Sequence, residues 1–84
     1  MNTAELDEYA MRSAIAFFTS HSPEDWTTGE ILEAIEQGND SVVVWEPFEY
    51  WDTYSIVNSI TDMKESLMVD FTHVIELTGG TVTP

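Results

Sequence analysis

The chain has 84 residues, of which sixteen are acidic and two are basic, and its formal net charge is −14 at pH 7. A hydrophobic content of 43% and an aromatic content of 12% predict one small folded domain over residues 1–84 and exclude a disordered acidic tail. Because so large a negative charge repels nucleic acid and anionic membranes, the partners that it favours are cationic protein surfaces.

Cysteine is absent from the sequence, which excludes disulfides and thiolate chemistry. No apolar run approaches the roughly 18–20 residues that a transmembrane helix needs. The first residues also lack the basic start and the apolar run of a secretory signal. Together these features predict a cytoplasmic protein.

The first predicted element is a helix over residues 3–20. Asn2 and Glu5 have the spacing of a capping box, and apolar residues recur after them at helical intervals. Glu8 and Arg12 are four residues apart, so we expect them to form an ion pair on the surface of this helix.

A second helix is predicted over residues 28–37, where Thr27 begins a cap signal. Gly38 is its expected stop, because glycine readily adopts the left-handed conformation that ends many helices. Before this helix, Ser22-Pro23 predicts a short turn, and this turn carries Trp26. Since polar residues flank Trp26 on both sides, we expect its ring to be exposed.

Hydrophobic mass is concentrated between Val42 and Tyr54, where five aromatic rings fall within ten residues. The segment Val42–Trp45 is rich in valine and predicts a short buried strand, and Pro47 fits the first turn of a following helix. Each large ring buries roughly 150–250 Å². We therefore expect most of the core of the domain to come from four rings, namely Trp45, Phe48, Trp51 and Tyr54.

From Phe48 to Leu67 the apolar and polar residues occupy opposite arcs of a helix, which predicts a long amphipathic third helix. Residues 69–78 then alternate between apolar and polar, which favours a strand, with a turn at Gly79-Gly80 and a short returning edge over residues 81–83. This order, α-α-β-α-β, predicts a small α+β domain. The alternative is a third helix that continues to about residue 76, which would give a mainly α bundle of three or four helices.

Nothing in the sequence predicts catalysis or a bound metal. His21 and His73 are the only imidazoles, no nucleophile signature is present, and Gly79-Gly80 lacks the lysine and the spacing of a phosphate loop. Neither an EF-hand loop nor a His-Glu-x-x-His motif occurs, and His73 is expected in the apolar face of the last strand. We therefore predict a protein that is not an enzyme and has no catalytic residues, metal or cofactor.

The surplus of carboxylates is the feature that predicts a function. A net charge of magnitude about 2–8 is sufficient to keep a small domain soluble, and this is far less than the charge that this chain carries. Acidic side chains three or four residues apart on a helix lie roughly 5–6 Å from each other, close to the spacing of successive phosphates, so rows of them present a DNA-like field to a basic groove. The predicted partner-binding residues are Glu24, Asp25, Trp26, Glu30, Glu33, Glu36, Asp40, Asp52, Asp62 and Glu65.

In its length, its charge and the mixture of acids and aromatic rings over Ser22–Asp62, the chain resembles the small, acidic, cysteine-free inhibitors carried by bacteriophages and mobile elements. This class includes anti-restriction DNA mimics and many anti-CRISPR proteins, and its members differ widely in fold. The resemblance implies that the target is a CRISPR effector complex, a restriction enzyme or another DNA-binding protein of a bacterial host. It also implies that the protein acts in the host cytoplasm.

Two further origins of the charge are compatible with the sequence. The chain would also suit an antitoxin or regulator that neutralises a basic partner whose groove does not bind DNA. Adaptation to molar salt produces acid-rich, lysine-poor proteins as well, although it usually removes the large apolar residues that are abundant here.

Overall fold

The computed structural model describes residues 1–84 and contains three α-helices and one two-stranded antiparallel sheet. A single short 3-10 helix precedes the last α-helix. In chain order the elements are α1 (Thr3–Phe18), β1 (Thr19–His21), α2 (Thr28–Gln37), β2 (Val43–Val44), the 3-10 helix (Glu46–Phe48) and α3 (Thr53–Leu77). None of the helices combines the length with the hydropathy that crossing a membrane would require.

Helix α1 begins at the predicted capping box. The Glu5 N–H donates to Asn2 Oδ1 at 2.8 Å, and the Asn2 N–H donates back to Glu5 Oε1 at 3.4 Å. The helix ends at Phe18, two residues earlier than predicted, because the chain becomes extended at Thr19 and pairs with β2. That pairing joins residues more than twenty positions apart, so the helical spacing of α1 contains no signal for it.

Helix α2 has the bounds that the sequence predicts. Thr27 Oγ1 accepts the N–H of Glu30 at 3.2 Å, and Glu30 Oε1 accepts the N–H of Thr27 at 3.0 Å, which completes a second capping box. Gly38 ends the helix at φ 66°, in the left-handed region where a Cβ atom is costly. Both ends of α2 are therefore set by local chemistry.

Helix α3 begins at Thr53, five residues later than predicted. The carboxylate of Asp52 accepts the N–H of Ser55 at 2.7 Å and its hydroxyl at 3.0 Å, and Asp52 itself is extended. Pro47 lies in the separate 3-10 helix. The predicted start at Phe48 is wrong because the Asp52 cap interrupts what looked like one continuous apolar arc.

The predicted strand over residues 69–78 is wrong, and the alternative of a third helix that continues to about residue 76 is confirmed, because α3 ends at Leu77. Its last turns are held by α1, since the rings of Tyr9 and Phe71 lie 5.3 Å apart. Phe71 and Ile75, four residues apart, are half-buried residues of this end, while His73 is exposed and does not enter an apolar face.

The chain end makes a single parallel bridge between Asn2 and Thr83 in place of the expected returning edge. In it, the N–H of Thr3 donates to the Thr83 carbonyl at 2.7 Å. The bridge ties the last residues to the start of α1. Together with the Tyr9–Phe71 contact, it shows that α1 and α3 run antiparallel.

The core lies where α1, α2 and α3 meet and is built from aliphatic side chains and one ring. Its nine buried residues are Ala14, Ile15, Phe18, Ile31, Ala34, Ile35, Val42, Ile56 and Ile60. The prediction that the rings of the 42–54 segment form most of the core is therefore wrong. Two of the nine are alanines, Ala14 and Ala34, and small side chains let packed helices approach closely, which leaves little interior volume for large rings.

The predicted buried strand Val42–Trp45 is also only partly correct. Val42 is buried, but it precedes β2, and both Val43 and Trp45 are exposed. Phe48 and Trp51 pack on the buried ring of Phe18 from outside, with ring centroids 4.6 and 6.3 Å away. The aromatic segment covers the core and does not fill it.

Replacing Ile60, which is completely buried, tests this core. We expect Ile60→Ala to lower the free energy of unfolding by about 2–5 kcal/mol, because the change removes buried methyl groups and leaves a cavity. Val69→Ala, at an exposed position of the same helix, is the matched control and should change stability by less than about 0.5 kcal/mol. Urea unfolding followed by circular dichroism measures both, and equal losses would contradict this burial pattern.

Candidate partner-binding surface

All nine acidic residues predicted to bind a partner are exposed, and none of them has a basic partner. Both bases of the chain are occupied elsewhere. Arg12 Nε lies 2.9 Å from Glu8 Oε1, which confirms the ion pair expected on α1, and Lys64 Nζ lies 2.9 Å from Asp7 Oδ2. None of the nine acids is therefore neutralised by a basic side chain.

Trp26 is half-buried and packs against the core, contrary to the expected exposed ring. The reason is Arg12, whose guanidinium donates to the Trp26 carbonyl at 2.9 Å and holds this loop against α1. Arg12 thus links α1 to the segment that precedes α2. Part of the Trp26 surface remains available beside the acids of α2.

Two of those acids share a shallow groove with Trp26. Glu30 and Glu33 line it together with Gln37 and Asn39, and its volume is about 230 Å³. The Gln37 side chain donates to Glu33 Oε1 at 3.1 Å, which orients that carboxylate. The structure therefore brings Trp26 and the first two acids of α2 to one place.

A second groove joins α2 to α3. Glu36 lines it with Tyr54, Val57 and Asn58. Asp62 is one helical turn beyond Asn58, and consecutive turns of one face are roughly 5–6 Å apart. Glu36 therefore lies beside the exposed face of α3 that carries Asp62 and Glu65.

The remaining predicted residues do not join these rows. Glu24 and Asp25 lie in the exposed turn before Trp26 and line none of the grooves. Asp40 lines a different groove, beside β2. Asp52 uses both of its carboxylate oxygens to cap α3.

Hydrogen bonds lower the pKa of two of the predicted acids. The backbone N–H of Ser55, followed by its hydroxyl, holds the pKa of Asp52 below its usual value, and the backbone N–H of Thr27, followed by its side chain, does the same for Glu30. Both carboxylates are caps, so their charge also stabilises the first turn of a helix. Their primary role is local structure.

The structure also contains an exposed aromatic patch that was not predicted, which we define as Phe17, Trp45, Phe48 and Trp51. Phe48 lies 6.0 Å from Phe17 and 5.1 Å from Trp51 between ring centroids, and the Trp45 indole N–H donates to the Ala16 carbonyl at 3.3 Å. Three of the four rings are about half exposed, at 56% for Phe17, 46% for Trp45 and 45% for Trp51. In the sequence these rings alternate with Glu46, Glu49 and Asp52, which is unusual for a buried segment and would have predicted that the rings are exposed.

Tyr50 and Tyr54 are still more exposed, at 89% and 77%. Exposed tyrosine and tryptophan side chains are favoured at binding hot spots, because they bury much area with little loss of conformational entropy. No group of three or more His, Asp or Glu side chains is arranged to hold a metal ion. The chemistry of the surface is thus that of carboxylates next to rings.

Comparison of the chain with family models, with curated proteins and with solved structures finds no match. The function is therefore inferred from the chemistry and geometry of this surface. The acidic rows on α2 and α3 and the aromatic patch are the two features that support such an inference.

The Asp52 cap predicts how the stability of the protein depends on pH. Since the folded pKa of Asp52 is lowered, its contribution to stability is complete above its unfolded pKa, about 3.9, and is lost as pH falls through the folded value. Ser55→Ala removes the hydroxyl donor but keeps the backbone N–H, so the pKa of Asp52 should rise part of the way towards its usual value. Carboxyl-detected NMR titration measures this shift.

The matched control is Ser66→Ala, on the same helix but away from the cap. It should leave the titration of Asp52 unchanged. An unaltered Asp52 pKa in the Ser55→Ala variant would mean that the hydroxyl does not stabilise the charge.

Proposed function

We propose that this protein is a non-enzymatic inhibitor that occupies a basic, nucleic-acid-binding surface of another protein by mimicking the phosphates of DNA. The observation that carries the proposal is the set of nine exposed carboxylates with no internal counter-charge, on a domain whose only two bases are already paired. A charge of −14 opposes compaction through self-repulsion. Ion pairs with basic side chains do not compensate for it at these nine positions, so the benefit of the surplus charge is assigned to binding.

The rows on α2 and α3 have a spacing that suits this role. Glu33 and Glu36 are three residues apart on α2, and Asp62 and Glu65 are three residues apart on α3. Such pairs lie roughly 5–6 Å apart, and helices hold them in fixed positions. A basic groove that is shaped for a phosphate backbone would then contact negative charges at similar intervals. Because the helices already fix the positions of these charges, no affinity would be lost in ordering them on binding.

The class that fits best is the phage- or mobile-element-encoded inhibitors of anti-CRISPR or anti-restriction type. The target would be a nucleic-acid-binding protein or complex of a bacterial host, and the inhibitor would act in the host cytoplasm. It would bind neither nucleic acid nor membrane directly, because both are anionic, and it would need no metal or cofactor. We class the domain as α+β, with the β1–β2 pair as its small sheet.

Neutralising the row tests the proposal. We expect the triple variant Glu33→Gln, Glu36→Gln and Asp62→Asn to weaken capture of the target by at least about tenfold, because each lost charge–charge contact contributes on the order of 0.5–1 kcal/mol or more. The measurement is recovery of partners from a nuclease-treated bacterial lysate on the immobilised protein at about 0.05 and 0.2 M NaCl. Capture should fall steeply between these concentrations.

The control variant carries Glu5→Gln, Asp70→Asn and Glu76→Gln, which remove the same charge from positions near the chain ends. Glutamine at position 5 keeps the capping-box pattern. This variant should retain capture, and a short DNA duplex should displace the captured protein. Recovery of no nucleic-acid-binding protein at low salt would overturn the proposal, and capture that DNA leaves unaffected would favour an antitoxin-like module.

Salt should also affect the free protein in a defined way. We expect cooperative thermal unfolding in about 0.1 M NaCl and a melting temperature that rises towards 1 M, because the Debye length falls from about 10 Å to 3 Å and self-repulsion is screened. Calorimetry measures both. A chain that folds only in molar salt would instead support adaptation to high salt.

A further inference from the structure

The largest groove of the molecule lies beside β2 and has a volume of about 480 Å³. This is within the range of roughly 300–1,000 Å³ that is typical of ligand sites. Ile35, Val44 and Ile56 supply apolar lining, and Trp51 also lines the groove. None of the residues that we assigned to the acidic rows of α2 and α3 contributes to this groove.

Two carboxylates also line the groove. Asp40 comes from the loop after α2 and Glu49 from the segment after the 3-10 helix. Both are exposed, and neither side chain makes a hydrogen bond or an ion pair within the protein. They are therefore free to accept hydrogen bonds from a partner.

The backbone adds to the negative potential of this site. Gly38, which follows the last residue of α2, lines the groove, and the carboxyl end of a helix carries a partial negative charge. No basic side chain is available nearby, because Arg12 and Lys64 are paired with acids of α1. An occupant that complements the groove must therefore combine an apolar stem with a cationic head.

Arginine satisfies these requirements better than lysine. Its planar guanidinium stacks on tryptophan and offers parallel N–H donors to a carboxylate, whereas the lysine ammonium is a more strongly hydrated point charge. Its methylene stem can lie on valine and isoleucine side chains. Trp51, Asp40 and Glu49 are the groups that such a side chain would contact.

The edge of β2 suits a peptide backbone. The sheet has two strands, so the outer edge of β2 has no partner. The N–H of Trp45 donates to the Phe18 carbonyl at 2.9 Å, on the β1 side. Because backbone directions alternate along a strand, the N–H and C=O of Val44 point away from β1, and Val44 itself lines the groove.

From charge complementarity and this free edge, we infer that the groove beside β2 binds an arginine side chain carried on an extended segment of the protein partner. The inference rests on the proposed function for the basic character of that partner. It adds a single anchoring site to a contact otherwise made by rows of charge. Such a site would give specificity, since an apolar groove lined by two carboxylates discriminates between cations in a way that an open acidic face does not.

The test uses a probe with one cation, N-acetyl-arginine-N′-methylamide, and its uncharged citrulline counterpart. Titration followed by ¹H–¹⁵N NMR should shift the signals of the Trp51 indole and the Val44 amide more than those of the α3 face. The double variant Asp40→Asn and Glu49→Gln should weaken binding of the arginine probe by about tenfold, equivalent to about 1.4 kcal/mol. Asp70→Asn with Glu76→Gln, which changes the charge equally, should leave it unchanged.

Three results would overturn the inference. One is arginine-induced shifts spread evenly over the acidic faces, which would indicate attraction by net charge alone. Another is equal binding of the citrulline probe, which would make the groove merely apolar. The third is retention of full arginine binding by the double variant, whose fold is checked by its own NMR spectrum.

The two proposals fail independently. The arginine probe reports on the groove without any partner, whereas lysate capture and DNA displacement report on the partner class. Binding of arginine in the groove together with capture of no nucleic-acid-binding protein would retain the site and reject DNA mimicry. Capture of a nucleic-acid-binding protein that DNA displaces, without any arginine-induced shift in the groove, would retain DNA mimicry and reject the arginine site.

Discussion

The antiparallel packing of α1 against α3 is the main tertiary contact of this protein. Ala10 and Ala14 are completely buried on α1, and Ile60 is completely buried on α3. Small side chains let two helices approach closely, which brings many atoms into dispersion contact. The Lys64–Asp7 ion pair also joins the two helices. A chain with this much negative charge needs such a compact aliphatic contact to offset its self-repulsion.

Close packing of these helices has a consequence for the aromatic residues. The core holds only one ring, that of Phe18, and the four rings of the 42–54 segment that were expected inside lie at or near the surface. Exposed rings beside carboxylates can provide apolar contact and negative charge to the same partner. The surface of this protein therefore combines two chemistries, apolar rings and negative charge, and the proposed cationic partner would have to complement both.

The carboxylates divide into two groups by what they do. Glu30 and Asp52 cap helices, and hydrogen bonds hold the pKa of each below its usual value. Glu5 completes the capping box of α1, while Glu8 and Asp7 pair with the two bases. The others, including Glu33, Glu36, Asp62 and Glu65, have no such cap or ion pair. It is this second group that makes the acidic rows available for binding.

Chemistry between neighbouring residues accounts for the features that could be predicted from the sequence alone. The two capping boxes, the bounds of α2, the left-handed Gly38 and the Glu8–Arg12 pair all arise within about four positions, and the nine acids are exposed because burying an unpaired charge is costly. The remaining features depend on contacts between distant segments. Residues 69–77 are helical, and Phe71 within them packs against Tyr9 of α1. Residues 19–21 are extended because they pair with β2. Trp51 is half exposed because Phe18 and the helices fill the interior. These outcomes depend on which distant segments compete for limited core volume and backbone partners, and a periodic pattern along the chain contains no information about that competition.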